Sequence, residues 1–228
     1  MPLQRITIDE ALAGPQGLGR FHAVIDARSP SEFALDHLPG AVNWPSLDDE
    51  ERRLVGTEYK QVSPFEARKR GAVLVARNIA RHLEREAQDL PREWRPLVYC
   101  WRGGQRSGAL ALVMGQVGFD VHVLEGGYRE FRRRVVSALE TAGTDLDLRL
   151  ICGKTGSGKS RLLQALAAQG AQVLDLEALA QHRGSVLGSL PGAPQPSQKR
   201  FETLLWQQLQ AFRRDQPVSA HAAPGQPA

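Results

Sequence analysis

Apolar residues fall along this chain in short runs separated by amphipathic stretches, and these runs are the first guide to its architecture. "FHAVIDAR" (21–28) reads as a buried strand. In "SPSE", which follows, Ser29 is placed to cap a helix, Pro30 takes its first position and Glu32 stands three residues after the cap. A short helix to about Asp36 is therefore expected. "HLPGAVNWP" (37–45) is rich in turn formers and reads as a connector. Residues 63–90 have the spacing of one long amphipathic helix, with Val73, Ala76, Ile79, Ala80 and Leu83 on one side. "RPLVYC" (95–100) is a second strand, 107–118 a helix, "DVHVLEGG" (120–127) a third strand and 128–143 a further helix.

The alternation restarts at about residue 144. A strand ending in "LRLIC" (148–152) leads through a glycine-rich turn into the helix "RLLQALAAQG" (161–170). "AQVLDLEALA" (171–180) supplies a strand and a turn, "GSLPGAPQPSQ" (188–198) a loop, and 199–215 a helix. Strands alternating with helices imply an α/β protein with parallel sheets. The expected organisation is a first domain over 1–143, a second over 144–215 and a disordered tail over 216–228. The tail, which includes "PVSAHAAPGQPA", has no run of β-branched residues and no acid, so no strand is expected there. Two strands would then be too little sheet for the second domain, which is expected to be incomplete and loosely held, as in a C-terminally truncated chain.

Composition narrows the class. Across 228 residues, 42% are hydrophobic and 24% charged, as in an ordinary globular protein. The net charge of +4 suits an anionic partner such as RNA or phosphate. Two cysteines make no disulfide framework. The start lacks the basic segment and apolar core of a secretory signal, and no apolar run approaches the roughly 18 residues of a membrane span. A cytoplasmic protein with reduced thiols and no membrane partner is expected. The six histidines show no paired metal-ligand spacing, so no zinc site is expected.

Two stretches carry chemistry. In "CWRGGQRS" (100–107), Cys100 ends a strand and heads a loop containing Arg102, Gly103, Gly104 and Arg106 before a helix begins. Loop amides, the helix N-terminus and the two cations favour thiolate over thiol, giving a nucleophile in an anion cradle. In "GKTGSGKS" (153–160), the spacing G-x-x-x-x-G-K-[ST] follows a strand and opens a helix, the context of a phosphate-binding P-loop. Gly153, Gly156 and Gly158 let amides surround phosphate oxygens, Lys159 adds charge and the Ser160 hydroxyl is placed to bind Mg²⁺. The motif specifies a di- or triphosphate without saying which. Cys152 reads as a small buried core residue or as a thiol that resolves Cys100, and Asp175 and Glu177 as magnesium ligands or ordinary turn acids.

"VIDARSPSEF", "HLPGAVNWP", "VYCWRGG" and "VLEGGYREFR" resemble, in order, the signatures of a rhodanese domain over about residues 5–137. That resemblance implies sulfur or selenium carried on Cys100. The C-x5-R loop, Cys100 to Arg106, is longer than the usual rhodanese loop and resembles phosphatase-like and arsenate-reductase-like relatives. The added residue makes room for a tetrahedral oxyanion, so selenophosphate would fit Cys100, Arg102, Gly103, Gly104 and Arg106. With the P-loop half, "GTEYKQVSPFEARKRGAVLVARNIARHLE" and "LDLEALAQHRGSVLG", the chain closely resembles the bacterial tRNA 2-selenouridine synthase family as far as Asp215. The resemblance implies a cytoplasmic transferase acting on tRNA. It would alkylate the sulfur of wobble 2-thiouridine with geranyl diphosphate and then displace S-geranyl with selenium from selenophosphate. Arg68, Lys69, Arg70, Arg77 and Arg81, with Arg132, Arg133 and Arg134, would track the tRNA backbone, and Trp101 would stack on a base or pack beside the loop. Three alternatives stand beside this one: a C-x5-R phosphatase or arsenate reductase fused to a kinase-like module, a sulfurtransferase fused to such a module, and an inactive truncated relic. Tyr99 stands where those phosphatases carry histidine.

Overall fold

A computed structural model describes residues 3–142, 145–154, 156–182 and 194–221. Part of the expected 188–198 loop, the start of the second domain at 144, Thr155 of the P-loop and residues 222–228 of the tail lie outside the described residues. The chain divides into two compact units, Met1–Arg134 and Val135–Ala228.

The first unit runs β1 (Gln4–Ile6), α1 (Ile8–Leu12), β2 (Ala23–Asp26), α2 (Pro30–Leu35), β3 (Ala41–Asn43), α3 (Asp49–Gln61), α4 (Pro64–Glu86), β4 (Pro96–Tyr99), α5 (Gln105–Val117) and β5 (His122–Leu124). Helix α6 (Gly127–Thr141) follows, and the division at residue 134 falls inside it. The five strands form one parallel sheet in the order β1-β5-β4-β2-β3. Central β4 is buried at all four positions, which is why it reads as an unbroken apolar run. Alternation along the strands sends Ile25, Val98 and Val123 to a core shared with Ile79 of α4 and with Leu110 and Met114 of α5. Asp26 and Tyr99, in register on β2 and β4, face the opposite way. From β2 the chain steps outward to β3, and from β4 it steps the other way to β5, so the C-terminal end of β4 lies at the switch point where open α/β sheets bind ligands.

The second unit contains β6 (Leu148–Ile151), α7 (Lys159–Ala168), β7 (Gln172–Leu174), α8 (Leu176–Leu179), α9 (Gln198–Ala211) and β8 (Val218–His221). Among its described residues, β6, β7 and β8 are parallel in the order β6-β8-β7. Leu146, Leu174, Leu209, Val218 and Ala220 form its core.

Three expectations are corrected. The stretch expected as one helix over 63–90 ends at Glu86, and a separate helix, α3, precedes it. Ser63 starts α4 by accepting bonds from the Phe65 and Glu66 amides, with Pro64 next to it. No residue of α3 is fully buried, so hydrophobic spacing gives no sign of it; its signal is the Asp48–Glu51 capping box. Val73 is 60% exposed, because the buried stripe of α4 runs through Ala67, Gly71, Asn78 and Ile79. The second correction is β3, an edge strand paired to β2 inside the presumed connector.

The third correction matters most. Residues 218–221, placed in a disordered tail, form the central strand of the second sheet. Val218 and Ala220 are buried with Ser219 between them, an alternation too short to stand out from sequence. The Gln172 side chain anchors the approach to this strand, donating to the Arg213 and Gln216 carbonyls and accepting from the Arg213 amide. Pairing on both sides outweighs weak strand propensity. Val218→Asp would bury an uncompensated carboxylate at a cost of about 3 kcal/mol or more. Limited proteolysis of this variant is expected to open residues 145–221 to rapid cleavage while the first unit stays resistant, and wild-type protection would contradict the central placement of β8.

Candidate functional site

Cys100 is the first residue beyond β4 and is 3% exposed. The loop after it is short because α5 begins at Gln105, two residues earlier than its apolar pattern indicates. The first turn of α5 therefore comes close to the sulfur. Ser107 Oγ donates to Cys100 Sγ at 3.2 Å. Burial pushes the Cys100 thiol up, but the Ser107 hydroxyl and amide, the Arg102 amide and the charge of Arg106 outweigh it, so the thiol lies below its ordinary value of 9.0.

Glycines make the cradle. Gly103 has φ +65°, and a Cβ there would sit 2.6 Å from the Leu124 carbonyl oxygen. Gly127, at the start of α6, has φ +59°, and a Cβ there would collide with the Cys100 carbonyl and the Gly103 amide. The close approach lets the amides of Tyr128 and Arg129 donate to the carbonyls of Cys100 and Trp101 at 2.8 and 3.2 Å. Trp101 packs on the Tyr128 ring at 5.5 Å between centroids.

Arg106 Nη1 lies 2.8 Å from Glu32 Oε2, and Arg52 is 3.1 Å from the same oxygen. Burial raises the Glu32 pKa, but Arg106, Arg52 and the Ser29 amide bring it below its ordinary value. Glu32, legible in sequence only as a capping acid, thus also holds the loop arginine. Sequence reasoning missed this role and that of Ser107, for which the signal was a hydroxyl residue in the first turn of the helix after the cysteine. Arg102 is exposed at the rim, Gly103 is buried and Gly104 is the exposed cap of α5.

The P-loop lies in the second unit. Gly156 and Gly158 have φ +82° and +86°, and a Cβ on Gly153 would sit 2.7 Å from the Ser157 hydroxyl. Lys159 Nζ donates to the carbonyls of Gly153 and Lys154 at 2.8 and 3.1 Å, which folds its charge over the loop. Ser160 Oγ donates to Glu177 Oε2 at 3.5 Å. Asp175 accepts from the Ala178 amide at 2.9 Å as the cap of α8. Cys152 is exposed and is not the small core residue expected.

Of the cations expected to face RNA, Lys69 pairs with Glu66, Arg70 with Glu58, Arg133 with Glu130 and Arg134 with Asp9. Arg81 donates to the Asn78 side chain at 3.3 Å. Arg68 and Arg77 are exposed. Among the described residues, no helix is long and apolar enough to cross a membrane.

A hydrogen-bonded thiol in a glycine cradle, at the carboxyl end of the central strand of a five-stranded parallel sheet, places the first unit in a known class. The rhodanese-like domain model matches residues 9–134, more than half of the chain, and the chain belongs to that family. Residues 146–220 match the tRNA 2-selenouridine synthase AAA domain. A tRNA 2-selenouridine synthase of Nitrosomonas europaea is 41% identical over 183 residues, covering 80% of this chain and 47% of the relative. One from Alcanivorax borkumensis is 36% identical over 200 residues, covering 86% and 53%. The chain thus spans about half the length of the curated relatives it matches. A solved N-terminal domain of a Clostridium difficile 630 protein is 29% identical and covers 58% of this chain and 99% of that one, with a TM-score of 0.49.

The folded-state depression of the Cys100 pKa has a definite sign. Its contacts add stability that is fully present above the ordinary value of 9.0 and lost as pH falls through the lower folded value. Burial limits reagent access to Cys100 and exposure favours Cys152, so alkylation order is a poor probe of thiolate character. Thiolate absorbance on a Cys152→Ser background reads ionisation directly. The Cys100 midpoint is expected below that of an unfolded control, and Ser107→Ala should move it to higher pH. Coincident midpoints in the three samples would contradict the assignment.

Proposed function

We propose that this chain performs the sulfur-to-selenium exchange of a tRNA 2-selenouridine synthase, with its two sites serving two successive steps. The observation that carries this reading is the joining of a thiolate cradle to a P-loop in one chain, in the order in which both domain models match it. Relatives 36–41% identical bear the synthase name.

In the first step the P-loop holds the diphosphate of geranyl diphosphate, with the loop amides and Lys159 on its oxygens. The thiocarbonyl sulfur of 2-thiouridine attacks the geranyl C1, and diphosphate leaves with the electron pair of the broken C–O bond. Magnesium, if bound, supplies charge neutralisation to that leaving group. The Ser160 hydroxyl and a neighbouring carboxylate are the hard oxygen donors such an ion accepts. Among the described residues no three His, Cys, Asp or Glu side chains cluster as a metal site, so phosphate and water would supply the remaining oxygens. In the second step, selenophosphate occupies the Cys100 cradle, where Arg102, Arg106 and the loop amides meet its oxygens; the Cys100 thiolate attacks phosphorus, hydrogen selenide leaves with the electron pair of the broken P–Se bond, and water hydrolyses the S-phosphocysteine to thiol and phosphate. S-alkylation has by then made the C2 sulfur a leaving group: the released hydrogen selenide adds to C2, geranylthiolate leaves with the electron pair of the broken C2–S bond, and the selenium proton moves to N3 to give 2-selenouridine. tRNA is held through its phosphates, a salt-sensitive contribution.

Nucleoside mass spectrometry tests the order of steps. In bacteria that make 2-thiouridine but no 2-selenouridine, the chain is expected to generate 2-selenouridine in tRNA. Cys100→Ser should stop at S-geranyl-2-thiouridine, and Lys159→Ala should leave 2-thiouridine unaltered. Full selenation by either variant, or no modified nucleoside from the wild-type chain, would overturn this reading.

A further inference from the structure

One carboxylate oxygen beside the Cys100 loop is shared by two arginines. Arg106 Nη1 lies 2.8 Å from Glu32 Oε2 and Arg52 Nε lies 3.1 Å from it. The Ser29 amide donates to the same oxygen at 3.3 Å. Glu32 and Arg106 are mostly buried, whereas Arg52 is half exposed. The charge of Arg106 already acts on Cys100. Arg52, on α3, has no part in the cradle itself.

Hydrogen bonds from three elements fix the start of α3, and with it Arg52, beside that loop. The Ser46 hydroxyl, just ahead of α3, donates to the Arg106 carbonyl of α5 at 3.2 Å. Asn78 of α4 donates to the Ser46 carbonyl at 3.2 Å and to the Glu51 carboxylate at 2.6 Å. The Ser31 amide of α2 donates to Asp49 at 3.1 Å. Arg52 therefore stands on a base tied to α2, α4 and α5, which is how a supporting residue is held to a fixed geometry. Asp49 also acts on Arg52, but it is exposed and engaged by Ser31, so water screens it far more than Glu32.

In a one-to-one pair, Glu32 would cancel the charge of Arg106, and an incoming oxyanion would compete with the acid for the guanidinium. Arg52 balances Glu32 from the solvent side, so two arginines against one carboxylate leave one net positive charge. We propose that Arg52 is a positioning residue for the anion cradle, which acts through Glu32 to leave the charge of Arg106 to an oxyanion seated at Cys100. Resting on the anion-binding reading of the Cys100 loop, the assignment adds the residue that keeps its arginine available. A guanidinium has five N–H donors, so Arg106 can hold Glu32 and receive the oxyanion together.

Inorganic phosphate, a tetrahedral oxyanion, is the probe, and Cys100 thiolate absorbance is a readout local to the cradle. On the Cys152→Ser background, each chain is held at the pH where half of Cys100 is ionised. Phosphate is expected to lower the thiolate absorbance, because two neighbouring anions disfavour each other. The phosphate concentration giving half of this change reads affinity. Arg52→Gln should raise that concentration about fivefold, the reach of one partly exposed ion pair. Glu32→Gln keeps an oxygen to cap α2. On that background, Arg52→Gln should alter phosphate affinity by less than about twofold, because the residue through which it acts has lost its charge. Circular dichroism checks that each variant is folded. Undiminished phosphate affinity in Arg52→Gln would overturn the assignment while leaving the cradle reading intact. The same loss on the Glu32→Gln background would also overturn it, by showing that Arg52 meets the anion directly. A wild-type thiolate that does not respond to phosphate would overturn both readings.

Discussion

The close approach of two glycine-containing turns is the constraint on which the first unit's chemistry depends. The loop after β4 and the turn before α6 lie against each other at a distance that no Cβ tolerates, with Gly103 and Gly127 both in the left-handed region. Only this approach allows the first amides of α6 to satisfy the carbonyls of Cys100 and Trp101. With those carbonyls held outward, the Arg102 amide is left to point at the sulfur, where it joins the Ser107 hydroxyl in stabilising negative charge. The thiolate tendency of Cys100 is therefore set by backbone packing as much as by the arginines. The same packing keeps the residue buried.

A second network, on the opposite face of the sheet, fixes the start of α6. Asp26 and Arg28 form a fully buried ion pair, and Arg28 also donates to the Asp36 carbonyl at 2.7 Å. Its guanidinium lies 3.9 Å from the centre of the Tyr128 ring, and the Tyr128 hydroxyl donates to Asp36 at 2.8 Å. Burial and the Asp36 carboxylate both raise the Tyr128 pKa, keeping its hydroxyl protonated as a donor. Desolvation opposes most of the Coulombic gain of such a pair, so its contribution lies in orientation more than in net stability. It locks the connection after β2 to the residue that follows Gly127. The cradle is thereby braced from both sides, by α5 through Ser107 and by α6 through Tyr128.

Sequence made the two loops legible because each joins a short apolar strand to a helix through glycines and cations at fixed spacing. The elements that escaped notice share a physical cause. Helix α3 buries no residue completely, and β3 is a three-residue edge strand in a turn-rich stretch. Strand β8 is only four residues long and gains its stability from pairing with β6 and β7, which no local pattern reports. The supporting residues were harder still to read. Glu32 looks like a helix cap and nothing more until Arg106, 74 positions away in sequence, is seen beside it. Ser107 reads as the start of a helix and proves to donate its hydroxyl to the cysteine sulfur.

Backbone packing at Gly127 underlies the lowered pKa of Cys100. The decisive measurement is the Cys100 titration of a Gly127→Ala chain, shown to be folded by far-ultraviolet circular dichroism. A Cβ at this position would push the Cys100 carbonyl and the Gly103 amide away from α6. The thiol midpoint is expected to shift toward that of the unfolded chain, with the sheet intact. A folded variant whose Cys100 ionises at the wild-type pH would contradict it.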